Sequence, residues 1–144
     1  MAVEFEIHGV DEINKALKKM PVQLAKKVVT SSLREGAKII QKEARNLAPL
    51  KTGRLRRAIK VKSSKIHNKP RLGRFGVYIK INPGKKRDDR QGAYYGRFVD
   101  GGTKRMRPRM FMSRSYDTKT KQAVAFFIKA SERGIDVVKR NLDL

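Results

Sequence analysis

Apolar residues recur every third or fourth position from residue 22 to residue 47, at Val22, Ala25, Val29, Leu33, Ala37, Ile40, Ala44 and Leu47, with Lys, Arg, Glu and Gln between them. This periodicity describes an amphipathic α-helix of about seven turns. It constrains the fold strongly, because a helix of that length with one apolar stripe must lay the stripe against further elements. Ala48-Pro49 sets its end, since a residue before proline is pushed out of the α region. Gly36 lies inside the run and weakens it by about 1 kcal/mol relative to Ala, unless a neighbour needs the space a side chain would fill.

The elements around this helix are shorter. "VEFEIHG" alternates, with Val3, Phe5 and Ile7 on one face and Glu4 and Glu6 on the other, and predicts a half-buried strand at a sheet edge. Asp11 is placed to cap a short helix carrying Ile13, Ala16, Leu17 and Met20, which Pro21 stops. Beyond the long helix, "LRRAIKVKS" sets Leu55, Ile59 and Val61 against Arg56, Lys60 and Lys62, and "FGVYIKI" sets Phe75, Val77, Ile79 and Ile81 against Tyr78 and Lys80. These predict an antiparallel hairpin with a long polar loop at 64–72, followed by a solvated connection, "NPGKKRDDRQG". The last segment is helical again: Tyr116, Ala123, Phe127, Ala130, Val137 and Val138 can share a face, Val124, Phe126 and Leu142 widen it, and Gly134 is expected to interrupt or bend it near its end. The expected class is α+β, a small antiparallel sheet with a long hairpin packed against a long helix from the N-terminal half and a C-terminal helix, in one domain over residues 1–144.

Charge is the main global signal, with 36 Lys and Arg against 13 Asp and Glu. The excess is regional: residues 1–50 carry 9 basic and 6 acidic side chains, 51–111 carry 20 and 3, and 112–144 carry 7 and 4. Such a region attracts a polyanion or an acidic protein, and it repels its own copies unless they bring anionic surface or bind one. There is no cysteine, hence no disulfide, thiolate nucleophile or thiolate metal site. The two histidines, His8 and His67, are too far apart for a local metal pair, and neither metal nor cofactor is expected. No apolar run approaches the ~18 residues of a membrane span, and "MAVEFEIHG" lacks the basic start and apolar core of a signal peptide. A soluble protein that stays where it is made, with no membrane partner, is expected.

Catalytic constellations are missing. "GRFVDGGTK" comes near the phosphate-cradling G-x-x-x-x-G-K-[ST] pattern, but Gly102 occupies the lysine position. Asp88 and Asp89 sit between Lys86-Arg87 and Arg90 in a turn-rich loop, which reads as local charge balance. Asp100 has no histidine or serine near it in sequence to suggest a triad. The chain is expected not to be an enzyme, and a metal-dependent nuclease is the weakest of the readings.

Residues 92–117 mix aromatics, arginines and methionines. "AYYGRFVDGG" predicts a helix of one to two turns with Tyr95, Phe98 and Val99 as its apolar side and Gly101 or Gly102 as a left-handed cap. In "TKRMRPRMFM" the basic residues accompany Met106, Met110, Phe111 and Met112, and methionine and arginine are both favoured at interfaces. An equally simple reading makes Phe111 and Met110 core residues under the last helix. The candidate assembly interface comprises Arg71, Arg74, Tyr94, Tyr95, Arg97, Lys104, Arg105, Met106, Arg107 and Arg109.

Two blocks, "APLKTGRLRRAI" (48–59) and "AYYGRFVDGGTKRMRPRMFMSRSYD" (93–117), resemble the gp10-like tail-component family of tailed double-stranded DNA bacteriophages. Ala48, Pro49, Thr52, Gly53, Leu55 and Ile59 match the first family block; Tyr94, Tyr95, Phe98, Val99, Gly102, Thr103, Met106, Arg109, Phe111 and Tyr116 match the second. The resemblance extends over nearly the whole chain and makes Pro49, Thr52, Gly53, Leu55, Phe98, Gly101, Gly102, Thr103 and Phe111 structural positions. The sequence departs from the pattern at Asp100 (usually Glu), Gly101 (usually aromatic or apolar), Met110 (usually Pro) and Ser113-Arg114-Ser115.

The resemblance implies a virion protein of the neck that joins head to tail or completes the tail end, made in the cytoplasm of a bacterial host. Its implied partners are head-completion or connector proteins and the tail terminator or tail tube, with self-association in a ring, six copies being one option, and DNA contact in the channel. Residues 64–72 and 82–112 are expected to become ordered on assembly. The competing class is a nucleic-acid-binding protein that uses the cationic 51–111 region, with Tyr94, Tyr95 and Phe98 stacking on bases. A strongly basic channel wall would hold DNA rather than release it, so much of the positive surface is expected to face acidic protein.

Overall fold

The computed structural model describes residues 9–63, 76–85 and 92–142. The strand expected at residues 3–7, both histidines, the loop at 64–72, Arg71, Arg74, Phe75 and the Asp88-Asp89 pair lie outside the described residues.

The chain begins with α1 (Val10–Lys18), followed by the long α2 (Val22–Leu47). Asp11 is not the cap of α1. Gly9 takes that position at φ 91, and Asp11 and Glu12 fall in the first turn, where carboxylates complement the positive end of the helix. Pro21 precedes α2 with an extended backbone and accepts hydrogen bonds from the Leu24 and Ala25 amides at 3.0 Å each.

The expected α2 stripe agrees with the buried line only in part, at Ala44 and, packed on a core cluster, at Ala25. Val22 and Leu47 are exposed, while the buried positions are Val28, Ser32, Gly36 and Ala44. The reason lies in α5 (Phe111–Asn141), which runs antiparallel to α2 at close range. A Cβ added at Gly36 would stand 2.9 Å from the Ala123 carbonyl oxygen, and one at Gly134 would stand 2.9 Å from Cγ1 of Val28. Small residues therefore define the contact line, and Gly36 provides room for its neighbour. Gly134 does not interrupt the C-terminal helix, which continues to Asn141; it lets Val28 approach. Ser115, Ala123, Ala130, Ser131 and Ile135 are the buried residues of α5 beyond Phe111, whereas Tyr116, Phe126, Val137 and Leu142 are exposed.

The first predicted strand starts later than expected. Residues Arg54–Ala58 form a single helical turn, α3, and only Ile59–Ser63 is strand (β1). Leu55, Ala58 and Ile59 are all buried at i, i+3 and i+4, a spacing that satisfies a helix as well as the alternation of Leu55 and Ile59 satisfies a strand. Gly53, at φ 72, decides the matter by starting the turn and accepting the Arg57 amide at 3.1 Å. β1 pairs antiparallel with β2 (Val77–Ile81), in the register Ile59↔Ile81, Lys60↔Lys80, Val61↔Ile79, Lys62↔Tyr78 and Ser63↔Val77.

The α2–α5 pair carries an apolar cluster at each end. At one end Ala44, Ala48, Leu55, Ala58, Ile59, Ala93 and Phe111 are buried, with Ile79, Ile81, Tyr95, Val99 and Met112 packed on them. At the other, Ile13, Met20, Val28 and Ile135 are buried beneath Ala16, Leu17, Ala25, Ile128 and Val138. The architecture is α+β, a small antiparallel sheet packed on α2 with α5 alongside. No described helix is long and apolar enough to cross a membrane.

Candidate assembly interface

The scaffold of the site is a set of arginine ties to backbone carbonyls around the block at 48–59. A helix end leaves its last carbonyls without intrahelical partners. Arg56 meets that need at the end of α2, donating from Nε and Nη2 to the Ala48 carbonyl at 3.2 and 3.1 Å. Gln41 Nε2 and Arg45 Nη2 both donate to the Ile59 carbonyl, at 2.8 and 2.9 Å, where β1 leaves α3. Arg54 Nε donates to the Gly92 carbonyl. Part of the regional positive charge thus serves the fold. The Gly92 carbonyl that Arg54 holds marks the start of the interface segment, and here the backbone comes so near Gly84 that an added Cβ would lie 2.3 Å from its Cα.

From there the chain enters α4 (Gly96–Gly101). Tyr95 and Val99 turn into the core, while Phe98, expected beside them, faces solvent at 49% exposure. Tyr95 is partly buried against the core, and Tyr94, whose ring meets it edge to face at 5.6 Å, is exposed. The glycine before the turn, Gly96, is buried against Ile81 and Leu55. Because residues 96–101 are themselves helical, the near match to a phosphate-cradling loop does not form a cradle.

Gly102 closes α4. Its amide donates to the Phe98 carbonyl at 2.8 Å, its φ is 76, and a Cβ there would lie 2.8 Å from the Pro108 nitrogen. Gly101 faces open space, so the close backbone approach belongs to Gly102 alone. A tight turn follows, in which the Thr103 amide donates to the Met106 carbonyl at 2.9 Å, the Met106 amide returns a bond at 3.3 Å, and Thr103 Oγ1 accepts the Arg105 amide at 3.3 Å. The chain then runs back along α4, with the Arg109 amide donating to the Val99 carbonyl at 3.1 Å and the Met110 amide to the Asp100 carbonyl at 3.0 Å. Residues 92–112 thus follow a path tied to the body by backbone hydrogen bonds.

At the end of the loop Met110 adopts φ 50, in the left-handed region, and starts α5. It is 49% exposed, whereas Phe111 is 1% exposed, so the two residues read together as possible core go opposite ways. Asp100 Oδ1 accepts the Met112 amide at 3.1 Å and so satisfies a free donor in the first turn of α5. This contact gives it a capping role. Replacing Asp100 by Ala should destabilise the protein by about 1 kcal/mol, while Asn, also a good capping residue, should cost less. Urea unfolding of both variants checks this, and equal losses would disprove the capping role.

Every residue from 103 to 110 is exposed. Lys104, Arg105, Met106, Arg107 and Arg109 share this loop, and Arg97, Phe98 and Tyr94 are exposed on and just before the adjoining α4. Of the proposed contact residues, Tyr95 alone among those described is turned inward. Sequence reasoning missed the ties from Gln41, Arg45 and Arg56; for Arg56 the unpartnered carbonyls expected where a helix meets Ala-Pro were the available signal. Among the described residues there is no group of three or more His, Asp or Glu that could hold a metal ion.

A compact body with a cationic, methionine-bearing loop is the form of a structural subunit, one that presents a surface to neighbours. Residues 11–102, more than half of the chain, match the model of the HK97-gp10-like family, described as "Bacteriophage HK97-gp10, putative tail-component". The chain belongs to this family of phage tail components. The match runs from α1 through α4 and ends at Gly102, so it covers neither the loop at 103–110 nor α5. Comparison with curated proteins and with solved structures finds no match.

Proposed function

We propose that this tail component acts at the neck, joining the head connector to the tail or completing the tail end, without catalysis. The observation that carries the proposal is the loop at 103–110, exposed throughout yet fixed at both ends to the body. Arginine, methionine and aromatic residues are the types enriched at protein interfaces, and a preformed loop loses little conformational entropy on docking. Its partners would be other virion proteins with acidic surfaces, in a ring of copies whose mutual repulsion those surfaces offset.

Deleting the gene from the phage or prophage that encodes it should give filled heads and separate tails. A plasmid copy of the wild type should restore joined particles, and a copy carrying Arg105→Ala, Arg107→Ala and Arg109→Ala should not, although that protein folds. Normally joined, infectious particles from the deletion would refute the neck assignment. Restoration by the triple variant would refute the role of the loop.

A further inference from the structure

Among the described residues β1 and β2 pair only with each other, so each has an outer edge. The Asn82 amide donates to the Ala58 carbonyl at 2.8 Å. Bonded pairs alternate along an antiparallel ladder, so the backbone groups of Tyr78 and Lys80 also face β1, while those of Val77, Ile79 and Ile81 point away from it. The same alternation turns the Ile59 carbonyl outward on β1, where Gln41 and Arg45 of α2 donate to it, and Arg34 Nε donates to Ser63 Oγ at 3.0 Å farther along. Side chains of α2 thus cover the β1 edge. Among the described residues, no hydrogen bond reaches the outward groups of Val77, Ile79 and Ile81 on β2. Such an edge is a template for a further strand.

We infer that this edge receives residues 3–7 of a second copy of the chain, added as a third strand. "VEFEI" alternates over five residues, the length of β2, so Val3, Phe5 and Ile7 would extend the apolar face of Ile79 and Ile81, and Glu4 and Glu6 would stand beside Lys80 on the other face. Opposite charges on neighbouring strands stabilise the pair. Residues 1–14 contain Glu4, Glu6, Asp11 and Glu12 and no Lys or Arg, so a copy brings the anionic stretch that a basic chain needs to bind itself. Segment 3–7 joins its own chain at Gly9, against Ile128 in the α1 cluster, whereas Ile79 and Ile81 pack in the other cluster, which favours the edge of a neighbour. Main-chain bonds would supply affinity, and the alternating side chains would set the register. The inference takes from the proposed function only that copies assemble together.

The test is the association state of the purified full-length protein, read by sedimentation velocity over a dilution series. The wild type should associate as its concentration rises. Val77→Pro removes one outward amide and keeps the bonds to β1, and proline is tolerated at the first residue of an edge strand. It should weaken association about tenfold or more, yet melt with the wild type at a dilution where both are monomeric. Phe5→Pro should have the same effect from the other partner. An equimolar mixture of the two variants should restore dimers and nothing larger, because one keeps its segment and the other its edge. Lys80→Glu reads the same edge if proline unfolds the hairpin: association should weaken, and should return when Glu4→Lys and Glu6→Lys are added to the same chain.

Undiminished association in the folded edge variants would overturn the inference, as would a mixture that stays monomeric. A monomeric wild type that loses stability on either proline substitution would place the segment on the edge of its own chain and overturn it. A monomeric wild type indifferent to both would leave the edge to a different protein and overturn it equally. Association of the purified protein tests the β2 edge and particle joining tests the loop, so either can fail alone.

Discussion

Replacing Phe111 by Ala is expected to destabilise the protein by about 3–5 kcal/mol, the usual cost of truncating a buried aromatic residue. Phe111 is 1% exposed and sits where α2, α3, β1 and α5 converge, against Ala44, Ala48, Leu55 and Ile59. Four residues of its cluster are alanines, whose side chains have little freedom to move into a void. The cavity would stay open, which places the loss toward the upper end of that range. At roughly 2–4 °C per kcal/mol for a chain of this size, the melting temperature should fall by about 10 °C or more. Met110→Ala, one residue earlier but exposed, should remain within about 0.5 kcal/mol. Urea unfolding compares the two: similar midpoints for both variants would show that Phe111 is not the keystone of this cluster.

The second large effect is at Gly36. By helix propensity alone, Gly36→Ala should stabilise α2 by about 1 kcal/mol. The structure reverses the sign for larger residues, because the first added atom meets a backbone oxygen of α5 at 2.9 Å, and a backbone cannot swing aside as a side chain can. Overpacking costs about 1–3 kcal/mol and sometimes more. Gly36→Ala should therefore be close to neutral or mildly destabilising, and Gly36→Leu should lose more than about 2 kcal/mol by forcing the helices apart. Thermal unfolding of the pair is the check. A stabilised Gly36→Leu would mean that α2 and α5 do not pack along this line.

Both effects bear on what could be read from the sequence. The existence of α1, α2 and α5 was legible, because apolar periodicity and prolines report helix type and ends directly. The phase of α2 was not. Hydrophobicity draws the eye to Val22, Val29 and Leu47, whereas the close contact uses Ser32 and Gly36, whose merit is small volume. The turn at Arg54–Ala58 was hidden because Leu55 and Ile59 fit two periods at once, and the tie-breaker was Gly53.

Composition singled out the candidate segment at 92–112 but not which way its residues face. Tyr95 and Phe98 lie on one short helix, and only contacts with Leu55, Ile81 and the core decide that Tyr95 goes in and Phe98 out. Asp100 carried no sequence signal for its capping role, since its partner amide at Met112 lies across the whole loop.

The placement of the loop has a mechanical consequence. It leaves from α4 and re-enters the body at the first turn of α5, and α5 lies along α2 in antiparallel contact at least from Ala123 to Gly134. Tension applied at the loop along the α5 axis would load those helix contacts together in shear, instead of peeling them open one after another. Close packing at Gly36 and Gly134 leaves little slack to be taken up first. The same geometry that restricts substitution at two glycines would make the subunit stiff along the α5 axis.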